Sequence, residues 1–165
     1  MFEHRSLMMR SNRLFGANLV EHNLIDIEAL ETANTRFLDT VGTPGSNGLP
    51  RHLLHVLLYD TQSLVEDKLL AHQAEELSLG IVDMRHIEPH EHFRGKYPDL
   101  AWATLSLPFD REDDVTYIAT CHYLSPVVRE FWQKELGGML QWYATTLEGL
   151  SDAIDHLRKP ATSQP

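Results

Sequence analysis

The residues best suited to hold a metal ion crowd into one stretch, HIEPHEH, which carries His86, Glu88, His90, Glu91 and His92. Imidazole and carboxylate are ordinary zinc donors, and His-x-His is a known ligand spacing. Cys121-His122, at the end of a β-branched run, could add a thiolate and another ring. A ligand set requires convergence in space, which linear spacing does not give. A solvated, His-rich loop is the simpler reading, and no metal is expected. Cys121 beside a His is a weak nucleophile candidate, because a single Cys on an apolar strand is ordinarily a small buried residue. The acidic run Asp110 to Asp114 reads as a solvated turn rather than a catalytic carboxylate pair. Trp102, Trp132 and Trp142 read as core or interface residues. The loop VGTPGSNGLP, residues 41–50, has the glycines of a phosphate cradle but no Lys-Ser/Thr after them. No G-x-x-x-x-G-K-[ST] occurs anywhere, which excludes a P-loop ATPase within this sequence. No catalytic residue, cofactor or metal ligand is therefore assigned.

Composition narrows the partners. A formal net charge of −10 with Lys and Arg scattered singly argues against a nucleic-acid surface, which needs clustered cations to replace phosphate counterions. The ten His residues would reduce that charge on mild acidification. No apolar run approaches the roughly 20 residues of a membrane helix, so direct membrane insertion is not expected. MFEHRSLMMRSNR lacks the apolar core of a secretory signal, and one Cys allows no internal disulfide, so a cytoplasmic location is expected.

The elements that must position these residues begin with FGANLVEHNLIDIEALE, residues 15–31. Gly16, Leu19, Val20, Leu24 and Ile25 share one helical face. Asn23 suits a left-handed corner, and Asp26 caps a second helix with Glu28 in its first turn. Ile27, Leu30, Ala33, Asn34, Phe37 and Leu38 continue the inner face. The 165 residues suit one domain or two small subdomains. Residues 1–12 read as a mobile arm or a helix that forms against a partner, and 13–79 as a helical subdomain of two helix-corner-helix repeats joined by the loop 41–50. In the second repeat, Arg51 to Tyr59 and Val65 to Leu79 are the helices. Leu58-Tyr59, Leu64 and Leu69 there answer to Leu19-Val20, Ile25 and Leu30. The pattern changes at Gly80. Ile81 to Met84 is a short strand candidate, and RHIEPHEHFRGKYPD is loop or a single turn. ATLSLPF (103–109), VTYIATC (115–121) and MLQWYAT (139–145) read as strands. Pro126 opens a helix that stops at Gly137-Gly138, and Thr146 caps a last one. The fold class is α+β: an N-terminal helical-hairpin subdomain, then a small α/β subdomain at 80–158 (strand-strand-helix-strand-helix). The two halves are expected to share limited contact, and the tail 159–165 to be disordered.

Taken together, the paired pattern of Gly16 to Leu30, LSLGIVDM at 77–84, LPF…VTYIAT, SPVVREF and YATTLEGLSDAI resembles the amino-terminal domain of bacterial type II secretion and type IV pilus assembly ATPases (the GspE/PilB/MshE amino-terminal family), from about Leu14 to Leu157. The resemblance implies two subdomains and, in full-length relatives, a following motor domain. Some relatives bind cyclic di-GMP through two copies of R-L-G-x-x-L-V-x-x-G-x-I-x-x-x-x-L-x-x-x-L-x-x-Q. Here the first copy has Leu14 at the Arg place with Arg13 adjacent, Asn23 at the second Gly and Phe37 at the Gln. The second copy has Leu53, His55, Gln62 and Glu76 at the corresponding places. The apolar spacing survives and the polar ligand positions do not, and Glu76 would oppose a dianion. The resemblance therefore implies a non-enzymatic docking or adaptor domain for a protein partner, such as the cytoplasmic part of an inner-membrane assembly protein. A cyclic di-GMP or other nucleotide sensor ranks second, and a metal-dependent enzyme using His86, His90 and His92 third. The interface is expected on the first hairpin, at Phe15, Leu19, Val20, Glu21, His22 and Leu24, with self-association through one isologous patch as its simplest form.

Overall fold

The corner at Asn23 shows how local chemistry starts this fold. The first helix, α1 (Arg5–Glu21), ends where Asn23 turns to φ 60. The Leu24 amide then reaches back to the Leu19 carbonyl and the Asn23 amide to that of Val20, which satisfies two carbonyls at the helix end. Asp26 accepts from the Ala29 amide at 2.8 Å and opens α2 (Ile27–Thr40).

The computed structural model describes residues 4–41, 43–45, 48–88 and 97–158. After α2, a Pro44–Pro50 bridge closes the loop. Next come α3 (Leu53–His55), a π-helical turn (Val56–Asp60) and α4 (Glu66–Glu75). The remaining elements are β1 (Gly80–Ile81), a 3-10 turn (Met84–His86), α5 (Pro98–Thr104), β2 (Ser106–Glu112), β3 (Val115–Thr120), α6 (Pro126–Leu136), β4 (Met139–Ala144) and α7 (Leu147–Arg158). The sheet order is β1-β4-β3-β2. β4 lies parallel to both β1 and β3, and β2 runs antiparallel to β3 with an irregularity between Pro108 and Asp110. The α+β class stands.

Several expectations change. Residues 5–12 are the first half of α1, not a mobile arm: Met8, Ser11 and Asn12 are buried. Their polar members hid the helical period because the core satisfies them with hydrogen bonds. The two halves do not meet through limited contact, since one hydrophobic core runs from Met8, Phe15 and Leu54 through Trp102 and Leu107 to Ile154. All four strands fall at or after Gly80, so the sheet itself does not cross the boundary. Ile27 and Leu38 face outward, while Leu30, Ala33 and Phe37 carry the inner face of α2. The stretch 98–104 is a helix, opened by Pro98 and anchored by Trp102, whose indole donates to the Pro50 carbonyl at 2.7 Å. The tail beyond 158 lies outside the described residues.

The halves are also pinned by polar groups. Glu66 of α4 accepts from the Leu147 amide at 2.8 Å, so a carboxylate of the helical half caps α7, with Thr146 accepting from Gly149 at 3.1 Å. Asn12 accepts from the Leu53 amide at 2.9 Å and donates to His52 Nδ1 at 3.0 Å, while His52 Nε2 donates to the Trp102 carbonyl at 2.6 Å. The carbonyl can only accept, so His52 carries its proton on Nε2.

Candidate functional site

The residues expected at an interface divide by burial. Phe15 and Leu19 are fully buried and hold the core together, which removes them from any contact surface. Val20 and Leu24 are half-buried, and Glu21 and His22 are exposed. The apolar stripe of the first hairpin is therefore core, as α1 packs on α2, α5 and α6.

Three of the ligand places of the two repeats, Gly16, Phe37 and Leu53, are taken up by packing. A Cβ on Gly16 would stand 2.8 Å from Leu30 Cδ1 and 2.9 Å from Leu53 Cδ2, so this glycine admits two leucines. Leu53 and Phe37 are buried, and Leu14 is half-buried. His55 accepts from the His52 amide at 2.9 Å. Glu76 is exposed. The two glycine-type corners survive in shape, with Asn23 and Gln62 both at positive φ (60 and 52).

The second repeat is one residue longer than its spacing suggests. The Ser63 amide reaches the Leu57 carbonyl where Leu24 reaches Leu19, so six residues replace five across the π-helical turn. Buried Leu57 thus fills the place of Leu19, not Leu58, and Tyr59 is left 52% exposed. Its terminal Asp60 is held by Arg51, at 2.7 and 3.0 Å, and by Arg36 at 2.9 Å. The Arg51 pair keeps its carboxyl well below the ordinary range, at about 2.

The metal and nucleophile candidates do not assemble. His86 is exposed and lies 3.5 Å from Asp83, and Glu88 is exposed. His90, Glu91 and His92 lie outside the described residues. The Cys121 thiol is buried, donates to the Thr145 carbonyl at 3.4 Å and is pushed up in pKa by that burial. His122 packs its ring 4.4 Å from Phe15 with Nδ1 2.9 Å from the Ser11 hydroxyl, and burial depresses it to about 3. Among the described residues no group of three or more His, Cys, Asp or Glu could hold a metal ion. Trp102 and Trp132 are core, and Trp142 is half-buried.

An aromatic face missed by the sequence reading lies on the sheet. Parallel register places Tyr143 beside Ala119 and Gln141 beside Tyr117, so Val115, Tyr117, Met139, Gln141 and Tyr143 share one face. On it Phe109, Tyr117 and Tyr143 contact one another at ring-centre distances of 5.7 to 6.3 Å. The row ends over Gly80, where a Cβ would meet the Tyr143 ring at 2.9 Å, so it reaches from β2 to β1. Its three rings are half-buried, and Met139 beside them is 65% exposed. Glu112 accepts from the Tyr117 hydroxyl at 3.3 Å, and exposed Asp110 follows Phe109 on β2. The alternation of VTY and QWY signalled two sheet faces. One face is covered by α6, which packs on Ile118 through Val128 and Trp132, and on the other the row joins the main core at Phe109.

Two helical hairpins and a mixed four-stranded sheet make up the fold, and known structures share it. Among solved structures, the chain is similar to that of MshE with cdg (TM-score 0.53, 23% identity, covering 87% of this chain and 97% of that one). It is also similar to the N-terminal domain of XpsE in two crystal forms, with TM-scores of 0.55 and 0.52 and 16% identity in each. These alignments cover 88% and 83% of this chain, and 94% and 89% of the XpsE chains. No protein-family model and no curated protein matches the sequence. Among the described residues, no helix is long and apolar enough to cross a membrane.

Proposed function

We propose that this chain is a non-enzymatic docking domain, and that the aromatic face of its sheet receives a basic segment from the cytoplasmic part of an inner-membrane assembly protein. The observation that carries the reading is the half-buried row Phe109, Tyr117 and Tyr143 with exposed Met139 beside it. Aromatic and Met side chains offer adaptable apolar area at interfaces, and a contiguous partly exposed row of them favours contact over solvation. Asp110 and Glu112 border the row, so a cationic segment is favoured over an acidic one.

Cyclic di-GMP sensing ranks second. MshE was solved with cdg, but in this chain Gly16, Leu53 and Phe37 are committed to the core. A ligand drawn to those places would have to displace packed leucines.

The test is calorimetric titration with the cytoplasmic segment of the assembly protein encoded in the same genome. Binding is expected, and Tyr117→Ala or Met139→Glu should weaken it by about tenfold, the scale of a central aromatic contact. Absent binding, or equal affinity for the unaltered chain and both variants, overturns the proposal.

A further inference from the structure

Two imidazoles meet where the first helical hairpin adjoins the second. His22 closes the C-terminal end of α1, and His72 lies in the last turn of α4. Their ring centres stand 4.9 Å apart, with the ring planes at 58°. His22 is exposed and His72 half-buried. The Nε2 atom of His72 is closed off from solvent and has no hydrogen-bond partner among the described residues, and neither ring forms an ion pair among them. A buried ring nitrogen without a partner costs free energy, so its presence calls for a physical reason. Each ring sits at a helix C-terminus, so the partial negative ends of two helix dipoles face this pair. Their exposed chain neighbours Glu21, Glu75 and Glu76 add negative charge of the same sign.

From this geometry we infer that His22 and His72 are paired ligands for a zinc ion, with water completing its shell. Neutral imidazole is an ordinary zinc donor, bonding at about 2.1 Å through a ring nitrogen. Two rings that share one tetrahedral ion at that bond length have their centres about 5 Å apart, which is the spacing of this pair. His22 stands at the exposed end of its helix, so its ring turns toward a shared ion without disturbing the core. Coordination also gives the shielded nitrogen of His72 the partner it lacks. Magnesium, which seeks oxygen ligands, gains little from two imidazoles. Two protein ligands are fewer than the four of a structural zinc site, so the ion binds reversibly to a chain that is already folded. Once bound, it ties the end of α1 to α4 across the two hairpins.

The test titrates the intact, untagged chain with zinc sulfate and follows each imidazole by NMR, since histidines elsewhere in the sequence also attract zinc. The resonances of His22 and His72 should move together and saturate, with a dissociation constant of about 100 μM or tighter. His22→Ala, a change at an exposed position, should weaken that binding by at least about tenfold, the smallest loss expected when a ligand is removed. His72→Gln should do the same, while His86→Ala should leave it unchanged. Magnesium sulfate at equal concentration should move neither ring. Hydrogen exchange supplies a second readout, because an ion that ties the two helix ends should slow exchange at the last turns of α1 and α4 together. Zinc that moves only other imidazoles, or only one ring of the pair, overturns the inference. So does binding that both His22→Ala and His72→Gln leave unaltered, or an equal response to magnesium.

Discussion

Acidification from about pH 7.5 to about pH 5.5 should cost the fold about 4 kcal/mol, through three histidines that the core keeps neutral. His52 and His122 are fully buried, and His55 is half-buried. Burial lowers all three from 6.5, His122 to about 3, His55 to about 4 and His52 well below its ordinary value; neighbouring His and Arg charges add to the effect. In the unfolded chain each would titrate near 6.5, so between that value and the depressed folded values the unfolded state binds more protons. Stability is therefore fully present above the unfolded pKa and falls as pH drops through the window. At about pH 5.5 each group has lost RT ln 11, about 1.4 kcal/mol, and three give about 4, a large part of a domain's usual 5–15 kcal/mol. Asp60 runs the other way. Its pKa, depressed to about 2, gives stability that is present above 3.8 and lost only as pH falls through the folded value, so it stays ionised across this window. Urea unfolding followed by tryptophan fluorescence at half-unit pH steps measures the slope. His122→Gln should remove about a third of it, whatever it does to absolute stability. A flat profile between those pH values, or a slope unchanged by His122→Gln, would mean that the buried imidazoles do not set the pH dependence.

Three further substitutions test the packing. Gly16→Ala drives a methyl into Leu30 and Leu53 and should destabilise by about 1–3 kcal/mol despite the better helix propensity, read by urea midpoint. Asn23→Gly should be neutral or stabilising while Asn23→Val loses about 1–2 kcal/mol at the left-handed corner, and thermal melts separate the two. Glu66→Gln weakens the cap on the first amide of α7 and should cost about 1 kcal/mol, with hydrogen exchange rising first at Leu147 and the turn that follows.

Much of the fold was legible where one residue's chemistry fixes local geometry. Asn23 and Asp26 marked the first corner, and Pro126 and the Gly137-Gly138 pair bounded α6 as read. β3 and β4 followed from β-branched and aromatic runs. The parts that were not legible depend on partners distant in sequence. Ser11 and Asn12 look like solvent-facing residues until His122 and His52 are placed against them. PDLAWAT is too short to declare itself helical without the pocket that receives Trp102. The π-helical turn shifts the second repeat by one residue, which local spacing could not reveal because both Leu57 and Leu58 suit the same pattern. The candidate surface was missed for the same reason. Phe109, Tyr117 and Tyr143 are separated in sequence and become a row only through strand register.

Gly16, Phe37 and Leu53, at contact places of the two repeats, serve the core in place of a ligand, while Asn23 and Gln62 keep the left-handed corners. Calorimetric titration of the intact chain with cyclic di-GMP tests this most directly. No saturable heat is expected up to about 100 μM ligand, and a dissociation constant in the low micromolar range, equivalent to about 8 kcal/mol of binding free energy, would contradict the account.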